Sequence, residues 1–307
     1  MSEYINGYRL LAPLSTNNAG MCRWGFAERD GREFFIKEFL SPKYPVNTEK
    51  LSEAIVQGMR AQALAYYGRR RRFYDELYDC RTGNVVVVQD FFRSGACYYA
   101  VSERIRGPFL GIGEIARLTE EKKRTLCKAV LYSIGKIHEH GIVHSDIKPD
   151  NIIVKQTSAG FCTAKLIDFD ASFFYYEAPD EIEGDQVYFS PEALLHNAEE
   201  EAEMSVKMDI FALGLLFHQY WSGDLPVFDR SEYSSASDAL LDGAELKLSP
   251  VIPADVRDLI RRMLSLDPAE RPDAKSAWEM VAGEPVVPVT EPKKSFGGFT
   301  PMGDDDL

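Results

Sequence analysis

The hydrophobic pattern of this chain changes period at Gly107-Pro108, and no other feature limits the available folds as strongly. Before that point, β-rich pieces surround Tyr8 to Leu14, Trp24 to Glu28, Glu33 to Phe39, Val85 to Phe92 and Tyr98 to Ser102, with turn residues such as Asp30-Gly31 and Ser94-Gly95 between them. A long helical stretch over Thr48 to Cys80 interrupts them, with a break expected at Gly68. Beyond that point, apolar residues recur every three or four positions, as in Leu126, Val130, Ile134, Ile137 and in Val256, Ile260, Met263, Leu264. A further short helix carries Ala274, Trp278 and Val281. Strands first and helices afterwards predict an α+β protein of two lobes meeting near residues 104 to 108. The expected division is 1–104, 105–283 and a tail, 284–307, rich in Pro, Gly and Lys and expected to be disordered.

Charge narrows the function. Asp and Glu total 48 against 35 Lys and Arg, a net charge of −13, whereas a nucleic-acid binder needs a basic face. Five widely spaced cysteines with no C-x-x-C pair predict reduced thiols rather than a disulfide scaffold or zinc site. The N-terminus lacks the pattern of a secretory signal. The longest apolar stretch, Ile210 to Trp221, is too short to span a bilayer and contains His218. A cytoplasmic protein without nucleic-acid or membrane partners is the expectation.

The stretch Gly141 to Val154, G-I-V-H-S-D-I-K-P-D-N-I-I-V, sets a polar loop between two apolar strand-like triplets. Asp146 supplies a carboxylate that can accept a proton, and Lys148 an ammonium that can balance phosphate charge. Asn151 offers an amide oxygen, and L-I-D-F-D places Asp168 at the end of a second apolar strand, a pair of oxygens that suits Mg²⁺. Either aspartate alone could equally cap a loop; the whole set points to phosphate and metal chemistry.

With these residues the chain resembles the eukaryotic-like (Hanks-type) serine/threonine protein kinases, in their small soluble bacterial form, over about residues 8 to 282. H-S-D-I-K-P-D-N looks like the catalytic loop, D-F-D like D-F-G, and Ser190-Pro191-Glu192 like A-P-E. K-M-D-I-F-A-L-G around Asp209 and L-D-P-A-E-R-P, ending at Arg271-Pro272, resemble later landmarks. The resemblance implies a bilobal kinase fold, an antiparallel sheet with one long helix preceding a mainly helical lobe. It also implies ATP and Mg²⁺ as cofactors and a protein substrate. In that frame Asp146 deprotonates the acceptor hydroxyl, Lys148 neutralises the transferring phosphoryl, and Asn151 and Asp168 hold the metal. Lys37, in F-F-I-K-E-F, takes the place of the lysine that grips the α- and β-phosphates, with Glu76 expected to hold it and Glu53 as the alternative. Ser15, Asn17 and Gly20 align with the phosphate loop. Glu103 and Ile105 offer backbone groups to adenine behind a small residue, Ser102. Glu192 with Arg271, and Asp209, are read as scaffold.

Several positions depart from the pattern. Ser15 and Asn17 replace two glycines, which predicts a weaker or stiffer cover over the phosphates. Ser145 replaces the arginine that meets a phosphorylated activation segment. Phe173 to Phe189 holds no Ser or Thr but five carboxylates, so activity is expected not to await Ser/Thr phosphorylation there; Tyr175 and Tyr176 remain as possible modification sites. Asp170 replaces the D-F-G glycine and is expected to face solvent or a loop amide. Asp185 stands where a threonine is usual; its carboxylate could bond Lys148 or repel the substrate. The run Arg69 to Arg72 reads as a solvated helix face, because consecutive residues spread around a helix. The tail reads as a docking or autophosphorylation peptide through Ser295 and Thr300. Two other classes compete with an active protein kinase: a catalytically inactive pseudokinase and a small-molecule phosphotransferase.

Overall fold

A computed structural model describes residues 3–17, 20–46, 48–157, 160 and 162–282. The tail, with Ser295 and Thr300, therefore lies outside the described residues. The chain begins with strands β1 (Tyr4–Ile5), β2 (Tyr8–Leu10), β3 (Cys22–Arg29) and β4 (Arg32–Phe39), followed by helix α1 (Glu53–Asp79), then β5 (Val88–Ser94) and β6 (Cys97–Glu103). They form one antiparallel sheet in the order β1-β2-β3-β4-β6-β5. The tight turn at Asp30-Gly31, both at positive φ, sets the register of β3 on β4 so that Trp24 lies opposite Lys37 and Phe26 opposite Phe35. One sheet face buries Tyr8, Ala27, Ile36, Phe92 and Val101 in a small core of its own.

Helix α1 is capped by Ser52, whose hydroxyl accepts from Ile55 N. It runs unbroken through Gly68, contrary to the expected break. A glycine inside a helix costs about 1 kcal/mol, and the ring contacts on either side of it, Tyr67 on Phe91 and Tyr74 on Phe91, offset that cost. Val85 is not yet in the sheet but makes a parallel bridge to Leu166, and an irregularity between Val88 and Asp90 marks the late start of β5.

The second lobe follows with α2 (Ile112–Ala116), α3 (Glu120–Glu139), β7 (Ile142–Val143), β8 (Ile152–Gln156), β9 (Cys162–Leu166) and β10 (Phe173–Phe174). Helices α4 (Pro191–Asn197), α5 (Lys207–Ser222), α6 (Ala236–Leu241), α7 (Ala254–Met263) and α8 (Ala274–Ala282) complete it. Thr119 caps α3, with Glu120 and Glu121 in its first turn and Lys136 and His138 in its last, both favourable to the helix dipole. Its stripe Leu126, Val130, Ile134, Ile137 is buried, as the spacing predicts. Helix α5 is buried almost all round. The main core runs from Phe39, Phe73 and Leu77 through Ile134 to Phe211 and Ile260, joining both lobes. Among the described residues no helix is long and apolar enough to cross a membrane.

Gly214 lets α5 approach α7 closely. A Cβ there would stand 2.9 Å from Leu264 Cδ2, 3.0 Å from Leu264 Cγ and 3.1 Å from Met263 Cβ. Gly214→Ala is expected to destabilise the fold by about 1–3 kcal/mol through overpacking, read as a fall in thermal midpoint. An unchanged midpoint would mean that the two helices separate at no cost.

Candidate active site

The catalytic loop is held from below by one buried carboxylate. Asp209, in the first turn of α5, accepts from the backbone N–H of His144 at 2.8 Å and of Ser145 at 2.9 Å, and lies 3.0 Å from His138 Nε2. This is the scaffold role expected for it. The grip holds Ser145 at φ +71°, a left-handed conformation that an L-residue keeps only when its surroundings enforce it. His144, fully buried, donates from Nε2 to Ile167 O at 3.0 Å. The loop is thus bonded to both α5 and the end of β9.

Asp146 projects from this loop and gathers donors. Lys148 Nζ lies 3.0 Å from Oδ1 and 2.8 Å from Oδ2, Asn151 Nδ2 donates to Oδ2 at 2.7 Å, and Asp185 N donates to Oδ1 at 2.9 Å. The Asn151 side chain also donates to Asp146 O at 2.8 Å, while the Asn151 backbone carbonyl accepts from Ile167 N at 3.0 Å. Those two bonds clamp the start of β8 to the end of β9 and bring Asp168, at φ +62°, beside the loop. Gly184 lies against the same carboxylate: a Cβ there would stand 3.3 Å from Asp146 Oδ1 and 3.1 Å from Ser145 O, so the segment passes closely at this point. The Asp185 carboxylate is not bonded to Lys148; it closes its own turn by accepting from Val187 N at 3.0 Å.

From the sheet, Lys37 reaches down to both acids of D-F-D. Its Nζ lies 2.8 Å from Asp168 Oδ1 and 2.8 Å from Asp170 Oδ2. Desolvation alone would lower the ammonium, but the two carboxylates outweigh it and raise the Lys37 pKa. Desolvation would likewise raise the Asp168 carboxyl, yet the Lys37 charge beside it draws it below the usual carboxylate range. Asp170 goes the other way: desolvation, reinforced by the Asp168 charge, keeps its pKa raised against the pull of Lys37 and Arg70.

Three expectations are corrected here. Glu76 does not hold Lys37; its carboxylate lies 2.6 Å from His140 Nδ1 at the end of α3. The reason is position along the helix. The residue of α1 that meets the D-F-D segment is Arg70, which donates to Asp170 O. At 1.5 Å per residue, Glu76 is about 9 Å beyond it and Glu53 about 25 Å before it. Asp170, expected to face solvent or a loop amide, takes the place foreseen for a helix glutamate. The run Arg69 to Arg72 is correspondingly not a purely solvated face: Arg70 turns inward, and Arg72 pairs at 2.5 Å with Glu177 of the activation segment. A cavity of about 260 Å³ lies between these arginines and residues 170–183.

The segment expected to cover the phosphates is pinned by an aromatic. Ser15 pairs through its backbone with Trp24, its hydroxyl accepts from Asn17 N at 3.1 Å, and Trp24 Nε1 donates to Asn17 O at 2.8 Å. Gly20 sits at φ +53°. Asn18 and Ala19 between them lie outside the described residues. Phe35, two residues before Lys37, shares its face of the sheet and lies opposite Ser102, beside the linker. Its ring stacks on Trp24 at 5.7 Å, Phe26 meets both edge-on, and Arg104 covers Phe26 at 3.8 Å. The large Phe35 opposite the small Ser102 is a feature that pattern reading passed over. Glu103 ends β6 with its carboxylate bonded to Lys165, and Ile105 follows in the linker, where Arg104 and Arg106 both pair with Glu33.

Lys37, Asp168, Asn151, Asp146 and Lys148 are therefore brought together, Ser15, Asn17 and Gly20 lie at the mouth of β3, and Glu76 stands apart. The donor set suits a hard cation: Asn151 uses its amide nitrogen on Asp146, leaving its carbonyl oxygen, with the Asp168 carboxylate, for Mg²⁺.

A family model described as "Protein kinase domain" matches residues 73–281. Calcium-dependent protein kinase 8 of Arabidopsis thaliana is 30% identical over 208 residues, covering 65% of this chain and 37% of that protein. Calcium-dependent protein kinase 6 of Oryza sativa subsp. japonica is 29% identical over 196 residues, 62% of this chain and 34% of that protein. The chain thus spans little more than a third of the length of these relatives. It belongs to the protein kinase domain family, whose standard cofactors are ATP and Mg²⁺. The family match begins at Phe73, so Lys37 and residues 15–20 precede it.

Proposed function

We propose that this chain is a serine/threonine protein kinase that transfers the γ-phosphoryl group of ATP to a protein hydroxyl. The observation that carries this reading is the joining of Asp146, Lys148 and Asn151 in one bonded group, with Lys37 and Asp168 paired above it. Bound MgATP supplies the phosphoryl group and partial neutralisation of its charge. Asp146 orients the acceptor hydroxyl and takes its proton, while Lys148 balances charge on the phosphoryl oxygens. Asn151 and Asp168 hold the metal, and Lys37 holds the α- and β-phosphates. Ser15, Asn17 and Gly20 cover the phosphates, and the backbone of Glu103 and Ile105 receives adenine. In this reading residues 1–104 form the nucleotide lobe and 105–283 the catalytic and substrate lobe of a cytoplasmic protein.

The same reading includes independence from Ser/Thr phosphorylation of the activation segment. What supports it is that the segment is tied down by carboxylates and carbonyls already present: Glu177 on Arg72, and Glu183 O accepting from Ser145 Oγ at 3.3 Å. The test is transfer from γ-labelled ATP with Mg²⁺ to the chain itself and to a generic basic protein, before and after phosphatase treatment. Transfer should be equal in both preparations and vanish in Asp168→Asn. A rate that collapses after phosphatase would remove the independence. Absence of transfer together with intact MgATP binding would make the chain a binding module.

A further inference from the structure

Lys37 rests between two carboxylates at equal distance, Asp168 Oδ1 and Asp170 Oδ2. Asp168 has a second duty, since with Asn151 it supplies the oxygens for a cation. Once its charge is turned to that task, Asp170 is the anion left on Lys37. Helix α1 presents no carboxylate here. It presents Arg70, whose guanidinium donates to Asp170 O and lies 5.9 Å and 5.8 Å from the ring centres of Phe73 and Tyr74. The order in space is cation, carboxylate residue, cation: Lys37, Asp170, Arg70. Two acids side by side repel unless a positive charge stands with them, so this order also lets Asp168 and Asp170 coexist.

We propose that Asp170 is the positioning residue for Lys37, and that Arg70 fixes Asp170 to α1, so the link from helix to lysine runs through the D-F-D segment. The proposal rests on reading Lys37 as the phosphate-contacting lysine. It assigns a role to the third position of D-F-D, and it assigns the inward arginine of an otherwise exposed run to the same device.

The test uses the full chain with Asp170→Asn, Arg70→Met, their double variant, and Lys37→Met as reference, each checked by thermal unfolding. Two quantities are read: MgATP affinity by calorimetry, and the rate at which an amine-directed reagent modifies Lys37 in nucleotide-free protein. Lys37 Nζ is held between two carboxylates, so Asp170→Asn, which removes one of those contacts, should free the amine and speed its modification severalfold. The same variant should weaken MgATP about tenfold, as expected for one charge-assisted bond. Arg70→Met should move both in the same direction, and the double variant should be no worse than Asp170→Asn alone. If Lys37→Met weakens MgATP while Asp170→Asn changes neither quantity, Asp170 is a bystander and the proposal falls by itself. If Lys37→Met leaves MgATP affinity unchanged, the reading of Lys37 falls and takes the proposal with it. Should Asp170→Asn fail to fold, Arg70→Met decides: unchanged affinity and modification overturn the link.

Discussion

Asp146→Asn is expected to lower turnover by about 10²–10⁴-fold with little change in MgATP affinity. Both oxygens of the native carboxylate are engaged, by Lys148, Asn151 and the Asp185 amide. An asparagine there keeps one acceptor and turns an NH₂ group toward either Asn151 or Lys148 and Asp185, all of them donors. The variant thus loses the proton acceptor and also sets donor against donor in the loop. Lys37 and Asp168 are anchored on other elements, β4 and the end of β9, so the nucleotide contacts should survive. Steady-state kinetics separates the two effects. A variant that retained most of its turnover would take Asp146 out of the chemistry.

The largest loss of stability is expected from Arg271→Met. Arg271 is 1% exposed and meets the buried Glu192 as a fork, at 2.6 and 2.9 Å. Its other N–H groups donate to Ser265 O at 2.8 Å, Lys207 O at 3.0 Å and Leu266 O at 3.2 Å. Removing the guanidinium leaves a buried carboxylate uncompensated and three carbonyls short of a donor. Breaking one side of such a pair costs about 3–5 kcal/mol. Arg271→Lys should recover only part of this, because a point ammonium cannot reproduce the planar fork. Urea unfolding is the measurement; a change within about 0.5 kcal/mol, the size seen at ordinary surface sites, would refute the assignment. The pair also joins the end of the activation segment, Ser190-Pro191-Glu192, to the loop after α7, so the weaker variant should lose activity on warming sooner than the native chain.

How much was legible follows from how far apart in sequence the partners lie. Asp146, Lys148 and Asn151 fall within six positions, and a single loop dictates their grouping, so the residues alone identify it. The Glu192–Arg271 bridge and the Asp209 clamp were legible through resemblance. Lys37 and its acid partner Asp170 are 133 positions apart. Which acid reaches the lysine depends on where α1 sits along its own axis, and a charge pattern does not encode that. A run of four arginines likewise hides its one inward member, because helix rotation assigns it only after packing is set. Gly68 misled in the opposite sense: its local preference was overridden by the aromatic contacts flanking it on α1. The Phe35–Ser102 exchange of sizes is visible only when β4 and β6 are placed side by side.

The stacking of Trp24 on Phe35 makes the cleft optically self-reporting. The chain has three tryptophans. Trp221 is buried on α5, and Trp278 lies on α8 with Lys128 Nζ over its ring at 4.3 Å, both in the helical lobe. Trp24 alone belongs to the sheet, bonded to Asn17 on one side and stacked on Phe35 on the other. Its emission is therefore a signal from the roof of the cleft, set against the steady background of two remote indoles. MgATP is expected to shift that emission, a change that a fluorescence titration would follow without label and without turnover.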